Sequence, residues 1–363
     1  MKITSSILLI VCVAVLPCCR QNTKNSYAIR DFNNTLQPYL TEVVSQGIVG
    51  YDPATTFIEK HATDKELKQL SQCEHPVLRA LAFREMLNRP TFDHFDLMIN
   101  NLDDTAIVAT DAGEWGLHYL RVSDDMLING GKWKDSAARD KVIEEIILRH
   151  NFLASAYQRA GWVSPKEKFY ASIKRMVQQK RGPFDKYTQI ENALHALSSY
   201  KKNEDIPLIK QTLLMHSWEL SETSFGLMAT YPNESYMEVY ESYYPRKFYR
   251  KVLEDWPDFP AMAVSFIKSI AVYKNARSEK ILDSILNKKP FMLCPTDTAT
   301  IKRELAYAIW NNPCPAYEKL RKQVEVSIKR YEENDKRGNM GLPLDNVSPD
   351  VPKDTEKEPV KWR

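Results

Sequence analysis

The chain of 363 residues is 43% hydrophobic, 10% aromatic and 27% charged, as expected of a globular protein with one large core or two domains. Its 11 glycines against 20 prolines argue against glycine-rich phosphate loops, collagen and turn-dense β-sandwiches. Its 50 Lys and Arg against 47 Asp and Glu leave a net charge of +3, which is too balanced to indicate a nucleic-acid partner.

Residues 1–19 are predicted to be an export signal. Lys2 supplies a positive start, and an unbroken apolar run extends from Ile7 to Leu16. Ten residues rise only about 15 Å as a helix, half of the hydrocarbon thickness of about 30 Å, so a permanent membrane span is disfavoured. The boundary Leu16-Pro17-Cys18-Cys19 resembles a bacterial lipobox, with Cys19 as the lipid acceptor and Cys18 as the alternative acceptor.

This resemblance implies a bacterial lipoprotein of the cell envelope, held outside the cytoplasm. Diacylation of Cys19 would tether the mature chain to a membrane, since two acyl chains anchor far better than one. The sequence departs from the usual lipobox at Cys18, where Gly, Ala or Ser normally precedes the acceptor. A signal that is simply cleaved and an uncleaved anchor are the two alternatives, and residues 20–35 are expected to form a tether or linker.

The cysteines predict a fold that does not depend on disulfides. If Cys19 is lipidated and the signal is removed, three thiols remain, Cys73, Cys294 and Cys314, and three cannot all pair. Residues 296–311 between the last two are predicted to form one helix, about 24 Å long. This length far exceeds the Cα separation of about 7 Å that a disulfide allows, so Cys294 and Cys314 are expected to be unpaired.

Helical periodicity dominates residues 36–333. One segment begins with His75-Pro76 and ends with Arg89-Pro90, and its apolar residues follow the helical spacing i, i+3 and i+4. Pro76 suits the first turn of a helix, where its missing N–H group is not needed. Comparable apolar stripes recur along the chain, and alternating strand patterns of useful length are scarce. The sequence therefore predicts an all-α fold.

An internal repeat supports the stacking of these helices. Several apolar residues around Tyr200-Lys201 recur around Tyr273-Lys274 at a constant offset of 73 residues, which two units of about 36 residues would fill. A helix pair with one apolar stripe cannot bury that stripe alone, so neighbouring pairs must stack. The expected architecture is an α-solenoid of stacked antiparallel helix pairs.

The segment from Glu66 to Leu102 resembles a HEAT repeat, because a first helix and a short polar turn precede the run His75-Pro76-Val77-Leu78-Arg79. Degenerate HEAT-like repeats imply a concave binding surface and no catalytic residues. Residues 105–134 contain four glycines and are expected to be an irregular insertion. Residues 334–363 lack the apolar period and contain four prolines, so a disordered C-terminal tail is expected.

The most distinctive segment, Tyr236–Lys251, holds five tyrosines and four basic residues and is called the tyrosine segment below. Tyrosine rings and arginine side chains are suited to sugar faces, peptide backbones and carboxylates. The candidate binding residues are Tyr240, Tyr243, Tyr244, Arg246, Lys247, Tyr249 and Arg250. The alternative interpretation places Met237, Tyr240 and Tyr244 in the core, with the basic residues facing water.

A weak metal-site candidate combines Asp111, Glu114 and His118 at positions i, i+3 and i+7, which would share one side of a helix. Gly113 and Gly116 argue against a helix there. The sequence contains no His-Glu-x-x-His, Gly-x-Ser-x-Gly or Gly-x-x-x-x-Gly-Lys motif. No cofactor is therefore predicted.

These features together predict a membrane-tethered, extracytoplasmic helical-repeat protein that serves as an interaction or assembly scaffold. Its expected partners are the membrane, through the N-terminal lipid, and another envelope protein, with no nucleic acid. A glycan-binding lipoprotein that uses the tyrosine segment is the alternative. A metal-dependent enzyme ranks third, because its residues must converge on one pocket.

Overall fold

The computed structural model describes residues 26–50, 52–111, 116–130, 136–179, 190–216, 220–244, 248, 259–287 and 295–336. The fold is an all-α solenoid of stacked antiparallel helix pairs with one small sheet, so the predicted fold class is confirmed. The sequence predicts one domain over residues 36–333, whereas the structure divides into two compact units, Met1–Val142 and Ile143–Arg363.

Unit one is built around a central helix that is buried on almost every side. Its helices are α1 (Gln37–Gln46), α2 (Pro53–His61), α3 (Asp64–Leu70), α4 (Pro76–Asn88), α5 (His94–Ile99) and α6 (Val122–Asn129). Helix α4 begins at the predicted proline and packs against α1, α3, α5 and α6. Both its apolar stripe and most of its opposite side are buried, from Val77 to Leu87.

A three-stranded sheet packs beside α4, where the sequence predicts only an irregular insertion. Its strands are β1 (Ile48–Val49), β2 (Ile107–Asp111) and β3 (Leu117–Arg121). Strand β2 is central, parallel to β1 and antiparallel to β3. Val108 and Thr110 of β2 are buried and alternate with less buried neighbours, which is the period of a strand with one covered face.

The described part of the expected tether is folded, so the linker predicted over residues 20–35 is too long. Tyr27 forms a β-bridge with Cys73, and a short 3₁₀ helix spans Ile29–Asp31. Phe32 is 5% exposed. A buried phenylalanine stabilises a fold by about 2 kcal/mol relative to an exposed one, so Phe32 helps to hold the segment against the rest of unit one.

Unit two contains two layers of helices. They are α8 (Ala154–Ala160), α9 (Glu167–Gln178), α10 (Ile190–Ser198), α11 (Ile206–Met215), α12 (Glu222–Thr230), α13 (Met237–Tyr243), α14 (Phe259–Ala271), α15 (Ala276–Asn287), α16 (Pro295–Trp310) and α17 (Glu318–Lys336). The even-numbered helices α8 to α16 pack side by side as one layer, and the odd-numbered helices α9 to α15 form the second. Helix α7 (Ser136–Arg149) contains the boundary between the units.

The predicted repeat is visible in the helix spacing and in the backbone. Successive helices of the first layer begin 32 to 37 residues apart, close to the expected 36. Lys201 and Lys274, separated by the offset of 73, both adopt the left-handed conformation, with φ of 51° and 54°. The tyrosine before each lysine donates its hydroxyl to a backbone carbonyl of an earlier repeat, at 2.8 Å for Tyr200 and 3.0 Å for Tyr273.

Ion pairs also connect neighbouring repeats of unit two. Lys202 pairs with Glu167 at 3.0 Å, and Lys268 pairs with Glu304 at 2.7 Å. The Lys174 ammonium lies 2.6 Å from the Asp205 carboxylate, and this contact raises the pKa of Lys174 well above its usual range. Each pair joins residues about one repeat apart, and the more exposed pairs contribute only about 0–1 kcal/mol each.

The C-terminal region agrees with the predicted helix between the last two cysteines. Helix α16 spans Pro295–Trp310, against the predicted 296–311, and Cys314 beyond it is a free thiol. Helix α17 continues to Lys336, three residues past the predicted end of the domain. Cys294 and residues 337–363 lie outside the described residues. In the described ranges, none of the helices combines the length and the apolar character that crossing a membrane requires.

Candidate functional site

The predicted lipid acceptors precede the first described residue, Ser26. Cys18 and Cys19 lie in residues 1–25, which are outside the described part of the chain, and so do the remaining residues of the signal. Acylation of either cysteine therefore stays a prediction.

The tyrosine segment forms part of the core of unit two, and the exposed patch predicted from it is wrong at its two central residues. Tyr240 and Tyr243 are both 0% exposed, and Tyr244 is half-buried. The reason is helical spacing, because Met237, Tyr240 and Tyr243 share the buried side of α13. The glycan-binding alternative needs rings at the surface, so it loses Tyr240 and Tyr243 as contact residues. Arg246, Lys247, Tyr249 and Arg250 lie outside the described residues.

An aromatic cluster replaces the predicted patch. The ring of Phe266 in α14 lies at its centre, and its centroid is 5.0 to 6.3 Å from those of the surrounding rings. Those rings belong to Phe225, Tyr240, Tyr243, Tyr244 and Phe248. Burial raises the pKa of the Tyr240 and Tyr243 hydroxyls, which therefore stay neutral inside the core. Three successive repeat elements, α12, α13 and α14, meet in this cluster.

The residues of the weak metal-site candidate do not share one side of a helix, because Asp111 and His118 lie in strands. Asp111 ends β2 and His118 lies in β3, where Asp111 pairs with Leu117 and Thr110 pairs with His118. Neighbouring positions along a strand point to opposite faces, so Asp111 and His118 face away from each other. Glu114 is outside the described residues. Within the described ranges, no three His, Cys, Asp or Glu side chains come together as a metal ion requires.

A polar groove on the first layer of unit two is the candidate binding surface. It lies between α14 and α16, has a volume of about 320 Å³, and is called the α14–α16 groove. Its lining residues are Lys268, Glu304, Tyr307, Ala308, Asn311 and Asn312. Sequence reasoning missed this site, because the groove exists only once α14 and α16 are neighbours. The adjacent amides Asn311 and Asn312, at the end of a predicted helix, were the available signal.

The charges and amides of the groove are held in place by its own helices. Lys268 and Glu304 form the ion pair that bridges the two walls, and the Glu304 side chain is 19% exposed. Asn312 donates its side-chain amide to the Ala308 carbonyl at 2.9 Å. Asn311 is exposed, and Tyr307 is half-buried with its ring 6.1 Å from that of Tyr331. The groove therefore presents one positive and one negative side chain, one tyrosine hydroxyl and two asparagine amides, all from two adjacent repeats.

No protein-family model matches the chain, and the comparisons with curated proteins and with solved structures found no match.

Proposed function

We propose that the chain is a lipid-anchored envelope protein whose helical repeats form a binding module for an extended peptide segment of another envelope protein. The observation that carries this proposal is the α14–α16 groove, a polar cleft that crosses two adjacent repeats. The lipobox-like boundary at Cys19 supports the anchored location, and the HEAT-like run after His75 supports the role of an interaction scaffold.

The chemistry of the groove favours a peptide backbone as the ligand. An asparagine amide both donates and accepts, so Asn311 can pair with a peptide C=O and N–H at once. Lys268 and Glu304 supply one charge of each sign, which suits a segment of mixed charge. The stacked helix pairs hold these groups before binding, and a preorganised surface loses less side-chain entropy when a partner docks.

Photocrosslinking in intact cells tests this binding role. A photoreactive phenylalanine derivative is placed at Tyr307 in the groove and, as the control, at Trp162, which is 65% exposed in the same unit. We expect one discrete adduct from position 307, identified by mass spectrometry as an envelope protein crosslinked through an extended segment. The adduct should fade when Asn311→Ala is added. Equal adducts from both positions, or none from position 307, would contradict the proposal.

Metabolic labelling with a fatty-acid analogue tests the anchor. We expect label on the wild-type chain and on Cys18→Ala, and loss of label in Cys18→Ala/Cys19→Ala, because the thiolate of the acceptor is the group that is alkylated. Membrane fractionation should show the double variant released from the membrane fraction. Label retained by the double variant would end the lipoprotein assignment.

A further inference from the structure

Unit one contains a partly enclosed cavity that the proposed function does not use. Its volume is about 360 Å³, at the lower end of the range for small-molecule sites. Polar side chains from α2, α4, α5 and α6 reach it, among them Glu59, Glu85, Asn88, His94 and Asn129. Val49, Leu81 and Leu87 supply an apolar wall. Most of its lining side chains are polar, so the cavity is suited to a polar or charged ligand with a small apolar part.

Glu85 is the most unusual of these residues. It is 9% exposed and lies on α4 among buried apolar neighbours. Its carboxylate accepts one hydrogen bond, from the Asn88 amide at 3.3 Å. No described lysine or arginine forms an ion pair with it. Buried carboxylates are normally paired or fully hydrogen-bonded, so Glu85 has acceptor capacity that faces the cavity and is unused.

Glu59 provides a second carboxylate from α2, on another wall of the cavity. Among the described residues its side chain has neither an ion pair nor a hydrogen bond. Burial and the nearby charge of Glu85 raise the pKa of Glu59, the first being the larger cause. Both carboxylates line the same cavity, and like charges in one cavity disfavour each other, so a cation between them would be favoured.

The cation already at the cavity, Arg84, is committed elsewhere. Its guanidinium donates to both carboxylate oxygens of Asp125, with the Nε–Oδ2 distance at 2.9 Å. Asp125 is 1% exposed and also accepts from the Asn129 amide at 3.2 Å. This bidentate pair neutralises Arg84. The ring of His94 lies 3.3 Å from the Arg89 carbonyl, so it too is held by the protein. Among the described residues neither Glu59 nor Glu85 forms an ion pair, and the Arg84 charge only partly offsets the rise in the pKa of Glu59.

We propose that this cavity binds a small organic cation, whose ammonium or guanidinium group lies between Glu59 and Glu85 and whose short carbon chain lies on Leu81 and Leu87. An organic cation fits better than a metal ion, since no three described His, Cys, Asp or Glu side chains converge here. The volume accommodates a head group with a few methylenes. This inference is independent of the peptide groove, which lies in the other unit.

Isothermal titration calorimetry on the full chain in detergent tests the proposal. The probes are 1,5-diaminopentane and agmatine, with 1-pentanol, glutarate and calcium chloride as controls. We expect the two amines to bind and the controls to give no heat. Glu85→Gln and Glu59→Gln should each weaken amine binding by about tenfold or more, as expected when one partner of a desolvated charge pair is lost. Glu42→Gln, an exposed carboxylate on α1 of the same unit, should bind as the wild type does.

Three outcomes would overturn the inference: binding of neither amine by the folded chain, wild-type affinity for the amines in both Gln variants, or heat from calcium chloride in place of the amines. Circular dichroism establishes that each variant is folded. Because Glu59 is only half-buried, Glu59→Gln tests the site even if Glu85→Gln does not fold.

Discussion

Replacing Phe266 by alanine is expected to destabilise unit two by about 3–5 kcal/mol, the range for a buried phenylalanine whose site cannot collapse. Phe266 is 0% exposed, and the rings around it come from three repeat elements. Truncation removes the central ring of this aromatic cluster and opens a cavity among stiff neighbours. The measurement is urea denaturation followed by circular dichroism, where the midpoint should fall with little change in slope.

Trp162→Ala is the matched control, because it also removes a large aromatic side chain from unit two. Trp162 is 65% exposed and contacts the Arg159 guanidinium, 5.8 Å from its ring. Arg159 is 6% exposed, and a cation–π contact contributes about 0.5–2 kcal/mol, so the destabilisation by Trp162→Ala should stay below about 2 kcal/mol, less than that of Phe266→Ala. If the free energy of unfolding falls by a similar amount in both variants, the aromatic cluster is not central to the stability of unit two.

Removing Asp125 is expected to destabilise unit one by about 3 kcal/mol, because it leaves a partly buried guanidinium without its partner. The Arg84 side chain is 19% exposed and that of Asp125 is 1% exposed. Asp125→Ala therefore breaks a pair that water reaches poorly. The double variant Arg84→Met/Asp125→Leu, which removes both charges, should recover a large part of the loss. Urea denaturation of both variants gives the comparison.

Asp140→Ala is the control for this pair. Asp140 lies 3.0 Å from Arg139, and both side chains are exposed, at 68% and 45%. Exposed ion pairs contribute about 0–1 kcal/mol, so this variant should unfold close to the wild type. A loss as large as that of Asp125→Ala would mean that burial does not explain the difference between the two pairs.

The repeat was predictable because local sequence specifies it. Helix α4 begins at Pro76 and ends one residue before Arg89, as its proline boundaries predict. The offset of 73 recurs as two left-handed lysines, each directly after a tyrosine. Helix period, proline position and turn chemistry are all local properties, so they can be read without knowing which helices become neighbours.

The sheet was not predictable from the same signals. Strand β1 has two residues and β2 has five, too few for an alternating pattern to stand out. Strands β1 and β2 pair although residues 48–49 and 107–111 are far apart in the sequence. Because the pairing is parallel, no tight turn connects the two strands and no turn residues mark them. A non-local pairing of short strands is decided by tertiary packing.

The candidate sites show the same limit. Five tyrosines in one segment are compatible with a surface patch or with a core, and Tyr240 and Tyr243 are buried because Phe225 of α12 and Phe266 of α14 pack on their side of α13. Glu85 reads as an ordinary solvated residue of an amphipathic helix. Its burial follows from the packing of α4 on several sides at once, which a single apolar stripe does not predict.

Hydrogen–deuterium exchange of the wild type and Phe266→Ala tests most directly whether each helix pair is stabilised by its neighbours. In a stack, destabilising one repeat weakens the next ones on each side. We predict faster exchange in α12 and α16 as well as in α14, with smaller changes towards α8. If Phe266→Ala is unfolded, Phe266→Leu replaces it in the experiment, and the same pattern of faster exchange is expected with smaller changes in rate. Faster exchange confined to α14, or uniform over the whole of unit two, would contradict a fold held together by contacts between adjacent repeats.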